Sequence, residues 1–370
     1  MFLVTTQHGL EGKIVGKKTI VLTAPDDGHF HGREESYHDL LSWVLPPEAK
    51  VFARAVIEPN LMHGRVSTVD HVRQYRGEIQ TVLDAFQIAN FQPLMTVRIT
   101  PRTTPAMIGE FKKAKVLAGK LYPDGVTTGS EGGVSNFKDL YPVFAEMQRL
   151  GFPLRVHAEM PGVDSLYAEQ AFIAVLTDII SKFPNLRIVI EHVSSAAMFG
   201  FIESARSSGI RIGATVTPHH LVLTAAKVFS TNGLVIFPDN FCKPPAKQEA
   251  DQEAIVRYTT SGFDWIWLGT DSAPHPWWLK RRSKNPKNQP KAGCYCGPVA
   301  MAVYAHVFEA AKALDRLDNF ASRYFAEYFG LTRNTATIQL VREPYKVPKR
   351  IGPVRLFLGG QTLNWQVISA

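Results

Sequence analysis

Residues His29-Phe30-His31 set two imidazoles two positions apart. In an extended strand such residues face the same side, so both rings can reach one metal ion from a strand end. Alone, the pair fits two surface or core histidines equally well. Three more polar residues stand where apolar runs stop. His157 ends Pro153-Leu154-Arg155-Val156, His192 ends Ile188-Val189-Ile190-Glu191, and Asp271 follows Trp265-Ile266-Trp267-Leu268-Gly269-Thr270. Lys120 lies in a fourth run, Val116-Leu117-Ala118-Gly119-Lys120-Leu121-Tyr122. A lysine inside an apolar strand is costly as an ammonium, and burial favours the neutral, nucleophilic amine. Taken singly it reads as an ion-paired lysine or one that reaches solvent. Imidazoles and a carboxylate are ligands that suit zinc, with manganese or cobalt also possible. Four histidines and an aspartate at matching strand ends form a set that scattered core polar groups do not explain.

The elements that must position this set alternate. Candidate strands lie at 28–31, 51–58, 93–99, 116–121, 154–157, 188–192, 212–216 and 265–269. Amphipathic segments that read as helices lie at 69–86, 136–150, 164–182, 196–208 and 246–260, and a helical block at 298–329 follows the last strand. Tyr141, Phe144 and Met147 show the three-residue spacing of a buried helix face. Eight strands separated by helices predict a parallel sheet. A closed (β/α)8 barrel takes about 250 residues, and residues 26–330 fit one with insertions. The strand pattern does not prove closure, since an open doubly wound sheet alternates in the same way. In a barrel, the strand ends named above form the active-site face. Residues 13–22 read as one or two strands and residues 350–367 as a small strand appendage. The expected division is therefore an N-terminal β segment (1–25), a barrel (26–330) and a C-terminal β appendage packed on the barrel (331–370).

Composition narrows the class. The chain has 370 residues, 45% hydrophobic and 20% charged, enough for a large core and unlike a disordered chain. No run of about 18 apolar residues predicts a membrane span, and the first ten residues lack a secretory pattern. The three cysteines, Cys242, Cys294 and Cys296, are an odd number in a long chain, so a reducing cytoplasm is expected rather than a disulfide framework. Formal net charge is +8, and six of the twelve residues from 280 to 291 are Lys or Arg. That cluster reads as a solvated loop, or as a surface steering a small anionic substrate. No recognised motif accompanies it, so nucleic-acid binding is not expected. His219-His220 is expected to be structural, because adjacent strand residues point to opposite faces. Cys294 and Cys296 lack the second pair a structural zinc would need.

The chemical set resembles the amidohydrolase superfamily, and within it the dihydroorotases of the single-enzyme bacterial and plant type. The resemblance rests on Asp27-Gly28-His29-Phe30-His31-Gly32-Arg33, Glu58-Pro59-Asn60 and Ala118-Gly119-Lys120-Leu121-Tyr122-Pro123. It rests equally on Val156-His157-Ala158-Glu159, Glu191-His192-Val193-Ser194 and Gly269-Thr270-Asp271-Ser272-Ala273-Pro274-His275. It covers roughly residues 26 to 330.

The resemblance implies two zinc ions per subunit. His29, His31 and Asp271 would hold one and His157 and His192 the other. Lys120, carboxylated by carbon dioxide, would bridge both. The substrate implied is dihydroorotate, opened reversibly to N-carbamoyl-L-aspartate, with ring closure as the direction in pyrimidine biosynthesis and Asp271 as the proton carrier. Arg33, Asn60 and His275 would recognise the substrate carboxylate. Thr127 and Thr128 would close over it from a small-residue loop, and the backbone near Cys242 and around Ala292-Gly293 would line the pocket. Another cyclic amidase, such as a hydantoinase or dihydropyrimidinase, would share the metal centre without needing the carboxylate contacts. A non-catalytic barrel that binds proteins would be expected to have lost metal ligands, and all six positions are filled here. A homodimer is the default assembly for a soluble enzyme of this size.

Overall fold

The computed structural model describes residues 18–62, 66–283 and 289–368. Eight parallel strands form its centre: β2 (Asp26–Phe30), β3 (Arg54–Ile57), β4 (Gln92–Ile99), β5 (Ala118–Leu121), β6 (Leu154–Val156), β7 (Ile188–Ile190), β8 (Ile212–Val216) and β9 (Ile266–Leu268). They are hydrogen-bonded in chain order, and β1 (Thr19–Thr23) precedes them outside the barrel. Six helices cross between consecutive strands: α1 (Leu40–Ala49), α2 (Val69–Ala85), α3 (Pro105–Lys113), α4 (Tyr141–Leu150), α5 (Ala168–Lys182) and α6 (Ala196–Ser207). Between β8 and β9 come α7 (Pro218–Val222) and α8 (Glu249–Thr260), and after β9 come α9 (Gly297–Ala310) and α10 (Tyr324–Phe329). The architecture is the (β/α)8 barrel that alternation predicted.

Closure, which periodicity left open, is made by backbone contacts between the end of the first strand and the segment just past the last. The Asp271 N–H donates to the His29 carbonyl at 2.9 Å, and the His31 N–H donates to the Ser272 carbonyl at 3.1 Å. Gly28 permits this approach: a Cβ there would meet the Leu268 carbonyl oxygen at 2.6 Å. The strands bury both faces, so they read as near-continuous apolar runs rather than alternating ones. Each helix turns an apolar stripe inward; α4 buries Val143, Phe144 and Met147.

Five of the eight barrel strands, β3, β5, β6, β7 and β9, are shorter than the apolar runs suggested, whereas β8 matches and β2 and β4 are one residue longer. The 51–58 run yields only Arg54–Ile57, because the flanking residues lack neighbours in register. Helices α1 and α3 had no sequence expectation. α1 contains Pro46 and Pro47, which mask it as a loop, and α3 begins at Pro105, the first-turn position that proline tolerates. The helical block at 298–329 is broken between α9 and α10 by a tight turn and a π turn. The two terminal segments share one sheet: β1 and the strand Gln366–Ile368 flank β10 (Thr337–Val341), both antiparallel to it. Residues 13–17 of the expected N-terminal strand, and 284–288 of the basic loop, lie outside the described residues.

Candidate metal centre and active site

Parallel strands bring their carboxyl ends to one rim, and six side chains from five strands converge there. His29 and His31 come from the end of β2, Lys120 from β5, His157 and His192 from just beyond β6 and β7, and Asp271 from beyond β9. All six are buried. The His29 and His31 Nε2 atoms are 3.3 Å apart, and Asp271 Oδ1 lies 3.1 Å from His31 Nε2 and 3.5 Å from His29 Nε2. His157 Nδ1 faces His192 Nε2 at 3.1 Å, and the His29 and His192 ring centres are 5.0 Å apart. His192 and Asp271 take left-handed backbone (φ 42° and 48°), as does Arg33 (φ 60°). Such conformations are costly for residues other than glycine, and they gather at functional sites.

Carboxylates behind the imidazoles fix their tautomers. His29 Nδ1 donates to Glu191 Oε2 and His157 Nε2 donates to Glu159 Oε2, each at 2.6 Å. The opposite nitrogens, His29 Nε2 and His157 Nδ1, therefore present lone pairs to the centre. Carboxylate-backed histidines of this kind are the usual orienting arrangement around a metal. Burial lowers the pKa of all four imidazoles, and the neighbouring Lys120 charge lowers each further. Burial would raise the Glu191 carboxyl, but Arg155, Lys120 and His29 hold it below its ordinary value. Burial pushes the Asp271 carboxyl well up.

Lys120 is fully buried; its pKa is lowered first by desolvation, and its Nζ has no hydrogen-bond partner. Glu58 Oε2 stands 3.5 Å away. Beneath it, the Arg155 guanidinium bridges Glu58 (2.7 Å) and Glu191 (2.6 Å), and the Tyr122 hydroxyl donates to Glu58 at 2.6 Å. Two inward-facing carboxylates are thus tied to one guanidinium, which offsets the cost of burying their charge.

These residues fit a divalent metal centre. Neutral imidazoles aim lone pairs inward, a carboxylate stands between two of them, and an orphaned amine and an orphaned His192 Nδ1 are buried alongside. Neutral imidazole is the protonation state a ligand requires, and the Asp271 carboxyl, whose proton burial favours, would give that proton up on binding a metal.

The cavity above the cluster is lined by Arg33, Asn60, Thr127, Thr128, Ala292 and Gly293, besides the four histidines and Asp271, with Lys120 beneath its surface. Arg33 Nε donates to the Pro274 carbonyl at 3.1 Å, leaving a buried Nη1 without a partner. Asn60 Nδ2 donates to the Thr128 carbonyl at 3.1 Å, tying the small-residue loop to the cavity wall. Gly293 holds φ 145°, and a Cβ there would meet the Ala273 carbonyl oxygen at 2.3 Å. His275 stands behind Arg33, held by Tyr37 Oη at 3.0 Å and the Ala292 carbonyl at 3.0 Å, and it does not line the cavity. Cys242 is also behind the wall, its thiol donating to the Pro244 carbonyl at 3.2 Å.

Sequence reasoning gave no role to Glu159, Glu191 or Asp27, although all three sit inside the quoted motifs. Asp27 accepts from the His29 amide at 3.0 Å and from the Thr270 amide at 2.7 Å, bracing both rims of the closure; burial first of all raises its pKa to about 6. The available signal was a carboxylate flanking each histidine in an otherwise apolar run. Lys243 also lines the cavity and was not singled out. His219 and His220 lie on α7 rather than on a strand, so the alternation argument does not apply to them, and with Cys242 they form a second compact group of ligand-type side chains. Both His220 nitrogens are nevertheless engaged, by Thr217 Oγ1 at 2.8 Å and the Pro244 carbonyl at 3.0 Å, which suits a structural role.

A dihydroorotase from Cupriavidus taiwanensis is 39% identical over 355 residues, covering 94% of this chain and 98% of that protein. The chain belongs to the dihydroorotase family. A mitochondrial dihydroorotase from Arabidopsis thaliana is also 39% identical, over 94% of this chain and 90% of its own length. The crystal structure of Saccharomyces cerevisiae dihydroorotase in complex with 5-fluoroorotic acid superposes with a TM-score of 0.85 at 30% identity, covering 95% and 98% of the two chains. An L-hydantoinase from Arthrobacter aurescens reaches a TM-score of 0.79 at 17% identity, which shows a shared fold alone. No protein-family model matches the chain. As a member of the dihydroorotase family the chain is a hydrolase of cyclic amides. Among the described residues no helix is long and apolar enough to cross a membrane.

Proposed function

We propose that the chain interconverts dihydroorotate and N-carbamoyl-L-aspartate at the strand-end cavity, with two zinc ions as cofactor. The observation that carries this is the convergence of four neutral imidazoles, Asp271 and an orphaned Lys120 at one rim of a closed barrel. His29, His31 and Asp271 would hold one ion and His157 and His192 the other. Lys120 would bridge them after its neutral amine adds to carbon dioxide and loses a proton, becoming an anionic two-oxygen ligand. When bound, the metal pair supplies Lewis acidity and lowers the pKa of water towards neutrality.

The chain's own residues do the rest. Arg33 directs its unpartnered Nη1 toward the substrate carboxylate, a match for a guanidinium fork. Asn60 holds the loop carrying Thr127 and Thr128, which can donate to the substrate and exclude water. His275 orients Arg33 from behind, at 3.3 Å from its Nη2. Asp271 takes the proton from the attacking water and delivers it to the departing ring nitrogen; its contact with His31 and its exposure to the cavity support that role. Ring closure is the reverse of these transfers. The Arg33 contacts favour a carboxylate-bearing ring over a hydantoin. The three cysteines are free and buried, which supports a reducing compartment as part of the same proposal. Dimerisation is proposed on size alone and is read by sedimentation.

The test is a spectrophotometric assay of dihydroorotate opening, with and without a chelator, beside a panel of unsubstituted cyclic amides. Chelator-sensitive turnover of dihydroorotate is expected. Turnover of hydantoin with none of dihydroorotate would overturn the assignment.

A further inference from the structure

Outside the barrel mouth, a groove of about 810 Å³ runs between residues 236–240, the turn at Trp277 and the C-terminal hairpins. Its volume falls within the range of small-ligand sites. Its walls carry Arg281, Arg282, Lys349, Arg350 and Arg355 against a single carboxylate, Asp239. Arg355 already engages that carboxylate at 3.2 Å. Among the described residues, the other four cations form no ion pair. Like charges gathered in one concavity repel one another, so the arrangement is favourable toward an anion of several charges.

The groove also offers flat surfaces. The Trp277 indole is half-buried in its wall, with the Arg281 guanidinium carbon 4.5 Å from the ring centre and those of Arg355 and Arg350 at 5.8 and 5.9 Å. A guanidinium stacks on aromatic rings and makes paired hydrogen bonds to phosphate oxygens. A ring and a chain of phosphates are the two parts that such a wall can hold at once.

The substrate of the barrel does not explain the groove. Buried His275, Lys280 and Tyr295 stand between the groove and the catalytic cavity, and only a water-sized gap lies among them. Lys280 spends its three N–H donors on the carbonyls of Phe241 (3.0 Å), Lys291 (3.0 Å) and Gly293 (2.7 Å). The groove is therefore walled off as a separate space, yet Lys280 lines it and bonds to the Gly293 backbone of the cavity.

We propose that this groove binds a nucleoside polyphosphate, the phosphates on Arg281, Lys349 and Arg350 and the base against Trp277.

Calorimetry of the metal-loaded full chain, titrated in turn with ATP, inorganic triphosphate and an acidic peptide at physiological salt, tests the assignment. One ATP per chain is expected. The double variant Arg281→Gln, Arg350→Gln should weaken ATP at least about tenfold, the loss of charge-assisted hydrogen bonds, with unchanged turnover in the absence of ATP and an unchanged melting temperature. Trp277→Ala should reduce ATP affinity to that of inorganic triphosphate. Triphosphate equal to ATP in the unmodified protein would overturn the nucleotide assignment, as would equal ATP affinity in the double variant. No heat at millimolar ATP, or binding of the acidic peptide alone, would overturn it as well. The turnover assay reads the catalytic assignment separately, so either reading can fail without the other.

Discussion

The backbone N–H of Asp271 donates to the carbonyl of His29 at 2.9 Å. One hydrogen bond thereby joins the first barrel strand to the segment following the last, three residues past Leu268, and brings a carboxylate from position 271 beside two imidazoles near position 30. Barrel closure and assembly of the proposed His29–His31–Asp271 metal position are one structural event. Local tethers support it from both sides, since Asp27 accepts from the amides of His29 and Thr270.

The Glu191 carboxylate orients His29 through a 2.6 Å bond and also receives Arg155. Glu191→Gln keeps the shape but removes the charge that fixes the His29 tautomer. Metal affinity should fall about 10- to 100-fold, as for other residues that brace a ligand. Competition with a chromophoric chelator reads it; unchanged affinity would remove Glu191 from the centre.

Lys120→Ala should abolish metal retention and turnover together. Adding a short carboxylic acid, which can occupy the vacated space as a free anionic ligand, should restore part of both. Full activity without any added acid would contradict the bridging role.

Arg33→Met should raise KM for dihydroorotate by at least about tenfold, the loss of a charge-assisted pair, while leaving metal content intact. Methionine fills similar space, and the Arg33 side chain hydrogen-bonds to the Pro274 carbonyl and His275 rather than to the proposed ligand histidines. Steady-state kinetics with metal analysis on the same sample decides it; an unchanged KM would reject carboxylate recognition at this residue.

Glu169 gives a pH prediction away from the metals. It is buried at the start of α5 and accepts from the Ser194 amide at 2.9 Å. Desolvation first of all raises its pKa to about 7. The folded state therefore binds the proton more tightly than the unfolded chain, whose carboxyl titrates near its ordinary value. The resulting stability is fully present below that unfolded value and is lost as pH rises through about 7. Glu169→Gln abolishes the dependence, so the melting temperature of the variant relative to the parent should climb between pH 5 and 8, approaching an advantage of roughly 3 kcal/mol. A pH-independent difference would show that Glu169 is not held neutral.

Much of this was legible because parallel barrel strands are buried on both faces. Their apolar runs are continuous, so a histidine, lysine or aspartate that interrupts one stands out by its cost. His157, His192, Asp271 and Lys120 were visible for that reason. Glu58 and Arg155 were not, because their mutual neutralisation depends on β3 and β6, whose separation in sequence hides the pair. Closure was illegible too, since it rests on two backbone hydrogen bonds and on Gly28 rather than on any periodicity. The helix at Leu40–Ala49 was hidden by its internal prolines, and the short helix carrying His219 and His220 was hidden by the strand before it.

Anomalous diffraction from zinc-loaded crystals, collected on either side of the zinc absorption edge, tests the central claim most directly. Two peaks are predicted, about 3.5–4 Å apart, one among His29, His31 and Asp271 and the other between His157 and His192, with density on Lys120 joining them. A single peak, or zinc gathered at His219, His220 and Cys242 with the strand-end histidines bare, would contradict the account.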